Sequence, residues 1–327
     1  MREGFGHLRL AGTALAAAIL LTLVLPTGGQ ADQTRSATPS LSRFSAASLS
    51  GSSAASLSGS SAAGPYSGPF VALGDSFAAG DLIPSSPSGT PAGCLRSSHN
   101  YSADSAAVLG MTRYVDAACT GATTADLTRP ESGPLGTNPP QLSFLAPDDS
   151  VVTLTIGGDD IGFLGILQTC ARLGLTDLFG DPCQRHYTAG GTDQLLAAIN
   201  ATAPKVAGVL QQIHARAPGA RVLLVGYPDI LPSTGDGCWP LVPFAFGDVP
   251  YLRTIEIDVN QMLASAAAAD GATFVDTYTA TTGHDACQPA SVKDVEGLLP
   301  TSPAYPFHPN QRGQQIMADQ VLAALGR

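Results

Sequence analysis

Five short runs of apolar, often β-branched residues constrain this chain more than any other feature: "PFVALG" (Pro69 to Gly74), "TRYVDAA" (Thr112 to Ala118), "SVVTLTIG" (Ser150 to Gly157), "ARVLLVG" (Ala220 to Gly226) and "ATFVD" (Ala272 to Asp276). None alternates cleanly between apolar and polar residues, the pattern of parallel strands covered on both faces rather than of a sheet with one wet side. Helical patterns stand between them. The clearest runs from Thr192 to Arg216, with Leu195, Leu196, Ile199, Val206, Val209, Leu210 and Ile213 at helical spacing, and Ala217-Pro218-Gly219 ends it. Two more cover Tyr251 to Ala269 and Asn310 to Leu325, the last with Met317, Val321, Leu322 and Leu325 on one face. Alternating strands and helices predict an α/β domain, a three-layer α/β/α sandwich around a central, mainly parallel five-stranded sheet. In such sheets, sites form at the carboxyl ends of the strands.

The chain ahead of the first strand has a different character. Arg2, His7 and Arg9 precede an uncharged apolar run from Leu10 to Leu25 and then "PTGGQADQ", the order of a secretory signal peptide, expected over residues 1–31 with cleavage after Ala31. A retained membrane anchor is the weaker reading, because the run falls short of the roughly 20 residues a spanning helix needs. Residues 32–66 are mostly Ser and Ala, with "AASLSGSS" in tandem at Ala46 to Ser53 and Ala54 to Ser61. So little apolar surface cannot offset the entropy of ordering, and a flexible tether is expected there. Residues 67–327 then form one domain, and the protein is expected to be secreted.

Composition narrows the partners. The net charge is −10 with only two lysines and no basic cluster, which argues against nucleic acid. Six cysteines, Cys94, Cys119, Cys170, Cys183, Cys238 and Cys287, suit an oxidising compartment. Loop closure favours neighbours in sequence, giving Cys94 with Cys119, Cys170 with Cys183, and Cys238 with Cys287. No pair has the C-x-x-C spacing of a zinc site, and no metal or cofactor is expected.

The strand ends carry the chemistry. The first run stops at Gly74-Asp75-Ser76, the second enters "ACTGATTADL" with Gly121, the third enters "GGDDIGF" with Asp159 and Asp160, and the fourth ends in "GYPDI". Near the C-terminus, "YPFHPNQRG" sets His308 just ahead of the final helix, where first and last elements of a doubly wound sheet open onto the same edge. Ser76 reads as a nucleophile presented at a strand-to-helix turn or, more blandly, as a helix N-cap. For His308 the plain alternative is a surface loop histidine. Asp75 is too close to Ser76 in sequence to face the same imidazole and is expected to brace the turn through backbone N–H groups; Asp160 is read as a similar support. A serine near the start of the domain in G-D-S, rather than midway in G-x-S-x-G, excludes the α/β-hydrolase pattern.

"VALGDSFAAG", "TGATTADL", "GGDD" and "FHPN" together resemble the four blocks of the GDSL, or SGNH, hydrolase superfamily, and the export signal with six cysteines is similar to its secreted actinobacterial lipases and esterases. The resemblance implies a flavodoxin-like fold, Ser76 as nucleophile and His308 as general base. It implies an oxyanion hole made of the backbone N–H of Ser76, the backbone N–H of Gly121, and the side chain at position 159. Two departures stand out. Where most relatives carry an aspartate three residues before the histidine, this chain has Tyr305 followed by Pro306. Some of the secreted actinobacterial relatives it resembles use a main-chain carbonyl instead, which implies that the carbonyl of Tyr305 or Pro306 accepts the ring N–H, giving a Ser-His dyad. Where the usual residue is asparagine, this chain has Asp159.

An ionised Asp159 would only accept hydrogen bonds and would repel the negative charge of a tetrahedral intermediate. Three states stand open: a protonated acid that donates like an amide, an ionised one that leaves a feeble enzyme or a mere binder, or a shifted chain in which another donor serves. The leading expectation is a secreted serine ester hydrolase of the lipase, esterase or phospholipase kind, acting on a small-molecule or lipid ester. The alternative is a catalytically weakened lipid- or ester-binding protein. "CWPLVPFAFGDVPYL" (Cys238 to Leu252) offers Trp239, Leu241, Val242, Phe244, Phe246 and Tyr251 either for an acyl groove or for the loop's own small core. A single tryptophan weakens a polysaccharide acetyl esterase. Transient contact with lipid surfaces is expected, and nothing asks for more than a monomer.

Overall fold

The structure, a computed structural model, describes residues 66–327; the expected signal segment and nearly all of the Ser/Ala tract lie outside them. In chain order the elements are β1 (Phe70–Gly74), α1 (Ser76–Ala79), α2 (Tyr101–Val108), β2 (Tyr114–Asp116), a small hairpin of β3 (Glu131–Gly133) and β4 (Gly136–Asn138), β5 (Val151–Thr155), α3 (Phe163–Gly174), α4 (Pro182–Thr188), α5 (Gln194–Arg216), β6 (Arg221–Val225), α6 (Asp248–Asp270), β7 (Thr273–Val275), α7 (Thr277–Thr281) and α8 (Gln311–Ala324). The five main strands form one sheet in the order β2-β1-β5-β6-β7, every pair parallel, and each falls inside an apolar run of the sequence.

Both faces are covered, which explains the missing alternation. On one, Val71, Leu73, Val152, Leu154, Val222 and Leu224 share a core with Val206, Leu210 and Ile213 of α5 and with Ile255 and Val259 of α6. On the other, Phe70, Val151, Leu223 and Val225 meet Tyr101 of α2 and Met317 and Val321 of α8. The three disulfides join Cys94 to Cys119, Cys170 to Cys183, and Cys238 to Cys287, the pairing that loop closure favoured.

The strand order fixes where a site can form. From β1 the chain steps to one side, to β2, and later returns on the other side, to β5, so the crevice at the carboxyl end of β1 lies where the crossovers diverge. In register, Gly74 at the end of β1 stands beside Thr155 at the end of β5. Among the described residues no helix is long and apolar enough to cross a membrane.

Candidate active site

Ser76 opens the one-turn helix α1 at the end of β1 and is 7% exposed. It is not the cap. Asp75 caps the helix, its Oδ1 accepting the Phe77 N–H at 3.0 Å, so the aspartate braces the turn as its position suggested. Gly74 makes the close approach possible: its φ is +137°, and a Cβ there would lie 2.3 Å from the Thr155 carbonyl oxygen. The Gln141 amide clamps that glycine, its Oε1 accepting the Gly74 N–H at 2.7 Å and its Nε2 donating to the Gly74 carbonyl at 2.9 Å.

His308 reaches the serine from the loop before α8, with Nε2 2.7 Å from Ser76 Oγ. Its Nδ1 lies 2.8 Å from the Pro306 carbonyl oxygen. Of the two carbonyls the sequence left open, Tyr305 is thus the wrong one: it accepts the backbone N–H of His308 instead, at 3.1 Å. The turn that separates these roles passes through Phe307 at φ +62°. Glu296 holds the loop from outside, its N–H donating to the His308 carbonyl and its carbonyl accepting from Phe307, while the Tyr305 N–H donates to the Asp81 carbonyl. The imidazole stacks on Phe77 at 4.5 Å between ring centroids and meets Phe163 and Tyr305 edge-on. Burial among these rings pushes the imidazole pKa down to about 4, with the Pro306 carbonyl only partly opposing it. His308 is therefore neutral above that pH, and with Nδ1–H on Pro306 its Nε2 lone pair faces the serine.

Gly121 and Asp159 lie in the turns after β2 and β5. Gly121 is exposed at φ +83°, a left-handed conformation suited to glycine. Asp159 sits in the turn of residues 157–163, where Phe163 N donates to the Gly158 carbonyl and Gly162 N to the Asp159 carbonyl. Burial, then the charges of Asp160 and Asp126, push its carboxyl pKa up to about 6. Asp160 is a support, as expected: its carboxylate accepts the Thr124 N–H at 2.7 Å, the Thr124 hydroxyl at 2.6 Å and Lys205 Nζ at 3.3 Å.

Tyr227, in the "GYPDI" run after β6, has a role that the sequence alone does not reveal. Its hydroxyl accepts the Gly158 N–H at 2.7 Å and donates to Asp75 Oδ2 at 2.5 Å, tying the Asp159 turn to the Ser76 turn. Burial, and next the Asp159 charge, raise the Asp75 pKa well above the usual carboxylate range. No spacing rule links positions 75, 158 and 227; only the sheet order does.

An apolar groove opens beside the dyad, walled by Phe77, Phe163, Ile166, Leu167, Tyr227 and Leu252, among others. Of the residues singled out between Cys238 and Leu252, only Phe244 lines it. Val242 and Tyr251 are buried in the core and Leu241 is exposed, so that stretch mostly packs its own loop, the second of its two readings. The groove is instead built by α3, the end of β6 and α6.

The chain matches the model of the GDSL-like lipase/acylhydrolase family over residues 72–316. It is 39% identical over 261 residues to Lipase 2 of Streptomyces coelicolor, an alignment that spans 79% of this chain and 85% of that one. Among solved structures it resembles phospholipase A1 from Streptomyces albidoflavus, with a TM-score of 0.65, 26% identity, and coverage of 78% of this chain and 98% of that one. The lipase from Streptomyces rimosus superposes with a TM-score of 0.60 at 26% identity, covering 79% of this chain and all of that one.

Proposed function

The chain belongs to the GDSL-like lipase/acylhydrolase family, and from that membership we propose that it is a secreted carboxylic ester hydrolase that works through an acyl-enzyme on Ser76. The observation that carries the reading is the 2.7 Å contact between Ser76 Oγ and His308 Nε2, with Nδ1 held by the Pro306 carbonyl. His308 takes the proton as Ser76 attacks the ester carbon, then gives it to the leaving alcohol; water repeats the sequence on the acyl-enzyme. The Pro306 carbonyl fixes the tautomer but adds no full charge, so it stabilises the transient imidazolium less than a carboxylate does.

The oxyanion of each tetrahedral intermediate is assigned to the backbone N–H groups of Ser76 and Gly121 and to Asp159 as its neutral acid. The upward pKa shift of Asp159, to about 6, supports the donating acid below about pH 6, and above it the ionised form that would leave only a binder prevails. The apolar groove beside Phe77 and Phe163 suits the acyl chain of a lipid or simple alkyl ester. Three disulfides fit an extracellular setting.

Hydrolysis of nitrophenyl butyrate by the purified protein tests the reading. The parent chain turns the ester over, and both Ser76→Ala and His308→Ala lower kcat by at least about 1,000-fold. Turnover that survives Ser76→Ala rejects the acyl-enzyme on this residue.

A further inference from the structure

Asp81 stands just past the nucleophile helix, beyond the Gly80 cap, and is buried at 1% exposure, yet its Oδ1 has no hydrogen-bond partner. After burial and the opposing Thr120 hydroxyl, the groups that act on its carboxyl are Asp159 and Glu131, both acids. A buried carboxyl with one oxygen unpaired costs stability rather than adding to it. Such a group persists where a site needs it.

The bonds that Asp81 does make all run to supports of the dyad and its surroundings. Gly80, at φ +72°, donates its N–H to the Ser76 carbonyl at 3.1 Å, so Asp81 leaves α1 in a fixed relation to the serine. The Asp81 carbonyl accepts the Tyr305 N–H at 3.1 Å, one residue before the Pro306 carbonyl that holds the imidazole. Its Oδ2 accepts the hydroxyl of Thr120, one residue before Gly121. Backbone bonds fix only the start of that second turn, where the Cys119 N–H donates to the Gly74 carbonyl at 2.9 Å and the Thr120 N–H to the Cys94 carbonyl at 3.3 Å. Among the described residues the Gly121 N–H finds no acceptor, as a donor kept for substrate requires.

We propose that Asp81 is a positioning residue for ester hydrolysis: its carboxyl, through Thr120, aims the Gly121 N–H, and its carbonyl keeps that donor in register with the loop of His308. The proposal rests on the ester-hydrolase reading above and adds a residue to it. Displacing an oxyanion donor costs less than removing it, so a loss of about 20-fold is expected where removal costs about 100-fold or more.

The test measures kcat and KM for nitrophenyl butyrate, with active sites counted by fluorophosphonate titration carried to completion so that misfolded protein drops out. Asp81→Ala and Thr120→Val are each expected to lower kcat about 20-fold with KM held within about twofold, and the double variant to lose no more than the worse single one, because both break one bond. Asp81→Asn and Thr120→Ser keep the acceptor and the donor, and each is expected to hold kcat within about threefold of the parent. The Tm of Asp81→Ala is expected to fall by no more than about 2 °C, since that variant also removes the oxygen left unpaired. Thr120→Val matches threonine in shape and carries the test alone if Asp81→Ala does not fold. A kcat per active site equal to the parent's in Thr120→Val, additive losses in the double variant, or losses that Asn and Ser do not recover overturn the proposal. So does a lowered Tm with an unchanged kcat, which makes Asp81 a structural residue only. An active parent with inert substitutions fails this proposal alone, whereas a parent that does not hydrolyse the ester fails the hydrolase reading and this proposal with it.

Discussion

In the oxyanion role proposed for Asp159, the protonation of its carboxyl decides whether the side chain can donate a hydrogen bond. Burial and the neighbouring carboxyls Asp160 and Asp126 keep Asp159 protonated below about pH 6, and burial keeps His308 neutral above about pH 4. A neutral base and a donating acid coexist only between those values. The profile of kcat/KM against pH is therefore expected to be a bell, with an acid limb near 4 from His308 and an alkaline limb near 6 from Asp159. Two pH units above its pKa the acid is only about 1% protonated, so the parent falls about 100-fold by pH 8, close to the usual cost of losing an oxyanion donor. Asp159→Asn donates at every pH and is expected to erase the alkaline limb; a limb that stays in that variant assigns it to another group. Ser76, His308 and the carbonyl acceptor were legible in the sequence because each sits in a short motif whose local backbone aims it. Pro306 over Tyr305 was not, since the choice depends on the left-handed turn at Phe307.

If the acyl chain lies in the apolar groove as proposed, the helices set its length. α3 presents Phe163, Ile166 and Leu167 to the groove, and α6 closes the other wall with Leu252, Ile255 and Val259. Leu167 is only partly buried, so a larger side chain there fills the groove without overpacking the core. Leu167→Trp is expected to lower the ratio of kcat/KM for nitrophenyl decanoate over nitrophenyl butyrate by about tenfold, read across a series of nitrophenyl esters. An unchanged ratio means the acyl chain runs elsewhere. The five sheet strands and the long helices α5, α6 and α8 could be read from their apolar spacing. α3 could have been: Phe163, Ile166, Leu167 and Cys170 recur at i, i+3, i+4 and i+7, but glycines at 162, 165 and 174 break up the pattern. The three-residue strands of the hairpin are too short for any period to show.

The whole domain is acidic, and its buried carboxyls bias it toward acid conditions. Burial raises Asp116 and Asp159 to about 6 and Glu131 and Asp229 to about 7, and lifts Asp75, Asp81 and Glu256 well above the usual range. Between about pH 4 and 7 the folded chain thus holds more protons than the unfolded one, and stability falls as pH rises through that window. His308, pushed down to about 4 by burial, and Glu296, lowered by hydrogen bonds from Lys293 and Asn310 against the upward pull of burial, work the other way but are outnumbered. Scanning calorimetry is expected to give a Tm roughly 5 °C lower at pH 8 than at pH 5; an equal or higher Tm at pH 8 contradicts those shifts. Catalysis by the dyad has a more direct probe than stability. A fluorophosphonate ester reacts with a serine activated by a neighbouring base, and mass mapping of the peptides locates the adduct. One adduct is expected, on Ser76, forming in step with the loss of ester hydrolysis and strongly slowed by His308→Ala. An unlabelled Ser76 in a protein that still hydrolyses esters, or an adduct on another residue that alone abolishes hydrolysis, contradicts the account.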